Sequence, residues 1–265
     1  MSLAPSPVSH KLCFRDIRQA LHAGWMEFRV MPGVSLAFGA VFMLLGLVVL
    51  MLVLQIGISA MVLPFAGGFM LLAPIFLAGF FHLSELRASG VAPGFKDALV
   101  GFTRAPAGLW VVALICAFLF LVWITDAGVL YSFMIGEVDP EGLPFWLSQF
   151  QTHVIAFTLW STLMGSVLAF IAFATSAFSV PLLYQRRATT VQAIFASVHA
   201  VLRHFIISLA WGLLLTTSIV GSILLLPLLS VVLPVMSYAS FAFYLRIFPP
   251  MESNDSSGDK LNMRR

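Results

Sequence analysis

Residues 64–90 read PFAGGFMLLAPIFLAGFFHLSELRASG, an apolar run that ends in the polar residues His82, Ser84, Glu85 and Arg87. The run has nearly the length of a membrane span, because a helix needs about 20 apolar residues to cross the hydrocarbon core. Its polar end also fits a buried helix that carries a His–Glu pair for chemistry. The rest of the chain decides between these two interpretations.

The composition predicts an all-α polytopic membrane protein with a single domain. Of the 265 residues, 60% are hydrophobic and only 9% are charged, whereas soluble domains carry about 25% charged residues. Most of this apolar surface must therefore face lipid. The two cysteines, Cys13 and Cys116, indicate neither a disulfide framework nor a zinc site. No cleavable signal peptide is evident, so we expect the first span to act as an uncleaved signal anchor.

Charge-free apolar segments predict six transmembrane helices. Residues 33–83 and 204–245 contain no Asp, Glu, Lys or Arg, and each is long enough for two helices. Five spans are the alternative, because the turn near residues 222–227 is almost entirely apolar. The predicted domain covers residues 1–248 and residues 249–265 form a disordered cytoplasmic tail, with spans at about 33–55, 60–83, 107–130, 153–183, 204–223 and 227–247.

The positions of the basic residues set the orientation. All fourteen Lys and Arg lie in the N-terminal arm, the loops after spans two and four, or the C-terminal end. The loop after span three has no Lys or Arg but carries Asp126, Glu137, Asp139 and Glu141. Cytoplasmic segments are enriched in Lys and Arg, so six spans place both termini in the cytoplasm. Anionic lipid headgroups are the expected partner of these basic clusters, a membrane-protein partner is possible, and no nucleic-acid motif occurs.

Three short segments before spans one, three and five share a pattern. Each has a polar, Ala, aliphatic core: residues 18–21 (RQAL), 96–99 (KDAL) and 191–194 (VQAI). Apolar residues at steps of three and four predict amphipathic helices at about 14–30, 94–104 and 190–202. Such helices lie in the membrane interface. We therefore predict three repeats, each an interfacial helix followed by a transmembrane hairpin, with chance similarity of short amphipathic segments as the alternative.

Four stretches resemble a bacterial family of integral membrane proteins, domain of unknown function 2189: DIRQALHAGWMEFR, GFMLLAPIFLAGFFHLSELRASG, AFSVPLLYQRRATTVQAIFASVHAVLRH and VLPVMSYASFAFYLR. The resemblance covers most of residues 14–246 and implies a six-helix protein of the bacterial inner membrane. It supplies no reaction and no catalytic residues. The family tends to have Tyr-Glu-Leu-Ser-Arg where this chain has FHLSE at 81–85, and an Asp where this chain has Gln185.

His82 and Glu85 are the first polar candidates. They are three residues apart and share a helix face. We interpret them as headgroup-level anchors at the cytoplasmic end of span two, with a proton or ligand role as the alternative. The six histidines do not form a plausible bis-His haem pair. No HExxH motif or carboxylate cluster suggests a metal, so no cofactor is expected.

Three further polar residues lie in the apolar spans. Asp126 follows LFLVWIT and is interpreted as the outer boundary of span three, with a buried carboxylate in a transport path as the alternative. Thr162 and Ser166 belong to a four-residue repeat in span four, which indicates helix packing, with a polar pore lining as the alternative.

The sequence contains no nucleophile elbow, phosphate-binding loop or dinucleotide fingerprint. We therefore expect a non-enzymatic structural, accessory or assembly protein. The alternative is a transporter or channel. Because the central parts of the spans contain no charged residue, its substrate would be a small uncharged solute or a lipid-like molecule.

Overall fold

The computed structural model describes residues 12–62, 64–65, 73–135 and 152–249. This part of the chain is 87% helical and contains no β-strand, so the predicted all-α class is confirmed. Short 3₁₀ turns occupy Ser59–Met61 and Leu226–Leu228. The helices described are α1 Phe14–Val30, α2 Pro32–Gln55, α3 Ala73–Ala88, α4 Phe95–Thr103, α5 Ala107–Met134, α6 Thr152–Ser176, α7 Ser179–Tyr184, α8 Thr190–Arg203, α9 Phe205–Leu224 and α10 Leu229–Ile247.

Five helical segments within the described ranges are long and apolar enough to cross a membrane. They correspond to the predicted spans one, three, four, five and six, with α6 and α7 together forming the fourth. The predicted second span, residues 60–83, is only partly described, as α3 and the short pieces before it. The acidic residues 137, 139 and 141 and the tail after Pro249 lie outside the described residues.

The outward faces of these helices are apolar, as lipid contact requires. Leu44 and Val48 of α2 and Leu159 and Leu163 of α6 are each more than half exposed. A helix that is apolar on all sides fits a lipid environment, because no polar face is needed for water. The exposed leucines and valines therefore agree with membrane-spanning segments.

The fourth span is interrupted, which the sequence analysis did not predict. At the break, Ser197 of α8 inserts its hydroxyl between two backbone groups that a continuous helix would join. Phe178 N–H donates to Ser197 Oγ at 3.1 Å, and Ser197 Oγ donates to the carbonyl of Ala174 at 2.8 Å. Pro181, one turn further, has no N–H to continue the ladder. An inserted side chain and a proline together explain why α6 ends and α7 begins.

The three short amphipathic helices, α1, α4 and α8, lie close to their predicted bounds. Each contacts the rest of the protein through small residues: Ala20, Ala98 and Ala193 are fully buried. Many large apolar residues of the predicted stripes stay on the outside instead, including Phe14, Trp25, Phe95, Leu99, Val191, Phe195 and Leu202. Small residues let the backbones approach closely, and the exposed large ones are free to enter lipid.

Each short helix packs on one of three longer helical segments, α3, α6–α7 or α10. We call α3, α6–α7 and α10 the return helices. The helix α4 packs on α3, and α8 packs on α6–α7, so each follows the return helix that it contacts. The first helix, α1, packs on α10, the last return helix. A Cβ on Gly24 would lie 2.6 Å from the carbonyl oxygen of Val235, so this contact joins the two ends of the described chain.

Aromatic side chains fill the space between the return helices and their neighbours. Phe80 of α3 lies 4.8 Å from Phe38 and 5.7 Å from Tyr238, measured between ring centroids. The Trp211 ring stacks on Phe243 at 5.0 Å. These rings are almost completely buried, and their packing fixes the return helices beside one another.

Candidate functional site

A group of polar side chains lies where the three return helices end. On α3 they are His82 and Glu85, on α7 and the turn after it Tyr184, Gln185 and Arg187, and on α10 Tyr244. Apolar packing holds these ends together, because Phe81 lies 4.9 Å from Phe241 and 5.9 Å from Tyr184 between ring centroids. We call this group the polar junction: His82, Glu85, Tyr184, Gln185, Arg187 and Tyr244.

Of the two junction residues on α3, His82 is the more deeply buried, with only 5% of its surface exposed. Its Nδ1 lies 3.0 Å from the hydroxyl oxygen of Tyr184. A buried imidazole needs such a partner, because burying an unpaired polar group costs free energy. His82 is therefore part of a contact between α3 and α7.

Glu85 is one turn after His82 on the same face of α3 and is partly exposed. Its carboxylate lies near Tyr184 and Gln185, and both side chains act on its pKa. Glu85 lies beyond the predicted end of the second span at residue 83. Burial raises the pKa of its carboxyl above the usual value, and the hydrogen bonds from Tyr184 and Gln185 offset only part of this effect.

Arg187 joins the turn after α7 to the end of α10. Its Nη1 donates to Tyr244 Oη at 2.9 Å and to the carbonyl of Phe248 at 2.8 Å. Its Nη2 donates to the carbonyl of Pro249 at 2.8 Å. Arginine suits this place because its fork of donors can satisfy several carbonyls at the end of a helix. Tyr244 in turn donates to Gln185 Oε1 at 2.9 Å.

The turn that directs Arg187 inward has an unusual backbone. Arg186 has a φ of 53°, in the left-handed region that non-glycine residues seldom adopt. The side chain of Arg186 is exposed, whereas that of Arg187 is partly buried in the junction. The left-handed residue thus separates two adjacent arginines into one that faces outward and one that binds α10.

A second set of polar contacts fixes α1 to the return helices. Glu27 accepts hydrogen bonds from the guanidinium of Arg87 and, at 3.1 Å, from the hydroxyl of Ser84. Asp16 pairs with Arg246 at 3.2 Å. Burial acts to raise the pKa of Asp16, but its hydrogen bonds with Cys13 and the charge of Arg246 outweigh it and lower that pKa. Both acidic residues of α1 therefore face the protein.

The other predicted candidates do not join the junction. Asp126 is partly exposed towards the far end of α5. Thr162 and Ser166 are exposed on the outer face of α6, and Ser166 donates to the carbonyl of Leu163 in its own helix at 2.7 Å. The packed face of α6 carries Ser161 and Gly165, where Gly165 leaves room for the ring of Trp123. Thr162 and Ser166 therefore line no interior path in the described bundle.

Sequence reasoning found His82 and Glu85 but missed their partners. Tyr184, Gln185, Arg187 and Tyr244 come from segments far along the chain. One signal was present: each return helix ends in an aromatic or acidic residue shortly before an arginine, as in Glu85 and Arg87 or Tyr244 and Arg246. In the described residues no group of three or more His, Cys, Asp or Glu side chains could hold a metal ion.

Residues 62–185 match a family described as "Predicted integral membrane protein (DUF2189)". The predicted resemblance is confirmed. The segment similar to DUF2189 includes His82, Glu85, Tyr184 and Gln185, whereas Arg187 and Tyr244 lie outside it. No curated protein and no solved structure gives a match.

Proposed function

We propose that this chain is a non-enzymatic structural or accessory protein of the bacterial inner membrane, which acts by binding a membrane-protein partner. The observation that carries this proposal is the use of the polar side chains. The ionic contacts of Glu27 and Asp16 and the donors of Arg187 all join one helix to another. Catalysis or transport would instead need such groups to converge on a substrate.

The proposed architecture has six spans with both termini in the cytoplasm. It is supported by the five apolar helices and by α3, which covers residues 73–83 of the apolar run of residues 64–83. With six spans, every basic cluster lies on one side of the membrane. The arginines that end α3 and α10, Arg87 and Arg246, both bind α1, which supports placing these helix ends on the same side.

We also propose that the chain consists of three repeats. The buried alanines Ala20, Ala98 and Ala193 occupy the same place in the shared sequence pattern. Side chains three residues into α4 and α8, Asp97 and Gln192, accept hydrogen bonds from the backbone N–H of the residue before each helix. Each short helix then packs on a return helix, which is the arrangement expected of repeated units.

The outer face of α1 is proposed to bind anionic phospholipid headgroups. Its acidic residues face the protein, whereas Arg15, Arg18, His22 and Arg29 are all exposed. On a helical wheel these basic residues lie beside the exposed rings of Phe14 and Trp25. A basic stripe next to apolar rings is typical of a helix in the headgroup region.

Site-specific photo-crosslinking in native membranes tests the partner. A crosslinking residue replaces one outward-facing residue per helix, Val48, Thr162 or Leu213, and a buried neighbour, Ser161, serves as the matched control. We expect a defined protein adduct from at least one outward position and none from Ser161. Adducts with lipid alone at every outward position would contradict the proposal.

Transport is the second candidate, because the polar junction gathers titratable groups in a membrane bundle. Reconstituted vesicles can be tested for permeability to glycerol, an uncharged probe, by light scattering after an osmotic step. A permeability above that of empty vesicles, lost in a Glu85→Gln variant, would favour transport over the structural proposal. Equal permeability of loaded and empty vesicles would remove support for glycerol-like solutes.

A further inference from the structure

The outer side of α1 carries basic side chains that are not used in the fold. Four exposed residues form this basic face: Arg15, Arg18, His22 and Arg29. On a helical wheel they lie within a sector of about 60°. Both acidic residues of α1 pair with arginines of other helices. Within the described ranges, none of the three arginines on the basic face forms an ion pair or a side-chain hydrogen bond. The basic face therefore offers positive charge to an acidic partner.

The end of α10 lies beside the first turn of α1. Arg246 Nη1 donates to Asp16 Oδ1 at 3.2 Å. The two residues that follow Ile247 are held as well, because Arg187 donates to the carbonyls of Phe248 and Pro249, each at 2.8 Å. The chain that follows Pro249 therefore leaves from a fixed point next to the beginning of α1.

The sequence that follows this point is acidic. Residues 250–259 read PMESNDSSGD and contain Glu252, Asp255 and Asp259 but no Lys or Arg. We call these ten residues the acidic segment. Its charge is opposite to that of the basic face, and oppositely charged surfaces attract one another over about 8 Å at physiological salt.

The covalent length of the acidic segment matches the length of the basic face. Arg15 and Arg29 are separated by about 21 Å along α1, at a rise of 1.5 Å per residue. An extended chain from Glu252 to Asp259 spans at most about 25 Å, and the three residues between Pro249 and Glu252 reach a further 10 Å or so. The acidic segment can therefore begin at the first turn of α1 and extend as far as Arg29.

We propose that the acidic segment docks on the basic face of α1 and competes there with anionic phospholipid headgroups. This inference rests on the proposed binding of headgroups by α1 and adds its regulation. A short tether keeps the segment at a millimolar effective concentration, so it covers the basic face where anionic lipid is scarce. Ion pairs at an exposed surface are individually weak, so a membrane rich in anionic lipid displaces the segment.

Docking is measured by the distance between two spin labels in the full-length protein, in an uncharged detergent. The labels are attached at Gln19→Cys, beside the basic face, and Ser257→Cys, in the acidic segment, in a background with Cys13→Ser and Cys116→Ala. We expect a narrow distance distribution at low salt and a broad one at about 1 M salt, where charges are screened within about 3 Å. A broad distribution at low salt, or a narrow one that salt does not change, would overturn the proposal.

Charge variants identify the two surfaces that make the contact. Replacing the three arginines of the basic face by glutamine should abolish the narrow distribution at low salt. The matched control removes three exposed charges elsewhere, by Lys96→Gln, Arg104→Gln and Arg203→Gln, and should keep it. Loss of the narrow distribution in both triple variants would contradict docking on α1.

A variant of the acidic segment keeps the test valid if the α1 variant folds poorly. Glu252→Gln, Asp255→Asn and Asp259→Asn together change no contact of the described residues, and they should also abolish the narrow distribution. If the narrow distribution persists in this variant, the acidic side chains do not hold the segment and the proposal is wrong.

Competition is measured by native mass spectrometry of the full-length protein with phosphatidylglycerol, and phosphatidylcholine serves as the uncharged control lipid. The variant of the acidic segment should retain severalfold more phosphatidylglycerol than the wild type, with phosphatidylcholine unchanged. Equal retention would overturn the competition. If the glutamine variant of the basic face retains as much phosphatidylglycerol as the wild type, the proposed headgroup binding by α1 fails instead, and the spin-label distances still decide whether the acidic segment docks.

Discussion

At the scale of single residues, the hydroxyl of Ser197 holds open the break between α6 and α7. Replacing it by alanine leaves the N–H of Phe178 and the carbonyl of Ala174 without this partner. Ser197→Ala should therefore lower the free energy of unfolding by about 1–3 kcal/mol, the cost of buried polar groups that lose their hydrogen bonds.

The matched control is Ser166→Ala, on the exposed face of α6, where the hydroxyl bonds only to its own helix. That substitution should stay within about 0.5 kcal/mol of the wild type, as exposed substitutions usually do. Denaturant unfolding of the two variants in the same detergent gives the comparison. Equal stabilities would show that the break does not depend on Ser197.

The polar residues differ in how far the sequence alone could predict their contacts. His82 and Glu85 were found because polar residues at the end of an apolar run are conspicuous. Their partner Tyr184 was missed because it is about a hundred positions away and looks like any aromatic residue at a membrane boundary. Thr162 and Ser166 had the spacing of a helix face, but in a helix that is apolar all round, spacing does not tell which face meets the protein.

At the scale of helices, α1 depends on a close backbone approach to α10. A Cβ on Gly24 would meet the backbone of Val235 and Ala239 at 2.6 Å. Gly24→Leu should therefore displace α1, because over-packing a tight contact costs about 1–3 kcal/mol. Trypsin should then cleave at Arg15, Arg18 or Arg29 about tenfold faster, if this opening governs cleavage.

The control for this prediction is Gly128→Leu in α5, where an added Cβ would have no atom within 4 Å. It should leave the cleavage of α1 unchanged. Equal trypsin rates in Gly24→Leu and Gly128→Leu would contradict the packing of α1 on α10. Digestion followed by mass spectrometry of the released N-terminal fragments measures both rates.

The boundaries of α1, α4 and α8 were predictable because their amphipathic periodicity is local. The break between α6 and α7 was not, since it depends on Ser197 of a later helix. The contact of α1 with α10 was equally hidden, because no local pattern links residue 24 to residue 239. Local periodicity therefore predicts the helices, whereas the arrangement of the polar junction depends on contacts between residues far apart in the chain.

At the scale of the whole molecule, the contacts of the short helices join the first and last parts of the bundle. Each return helix packs against one short helix: α3 against α4, α6–α7 against α8, and α10 against α1. The ionic contacts of α1 with Arg87 and Arg246 lie at the ends of α3 and α10. In the proposed six-span topology these two helix ends lie on the same side of the membrane, a condition that lets α1 bind both.

That condition leads to a test of the six-span topology with paired reporters. Alkaline phosphatase, active only outside the cytoplasm, and green fluorescent protein, fluorescent only inside, are fused after Gly90, Glu141 or Pro249. Phosphatase activity is expected after Glu141 and fluorescence after Gly90 and Pro249, because the basic clusters next to Gly90 and Pro249 resist translocation. Fluorescence after Glu141 would refute the orientation. Phosphatase activity after Pro249 would instead support five spans and would separate the ends of α3 and α10, contrary to their shared contacts with α1.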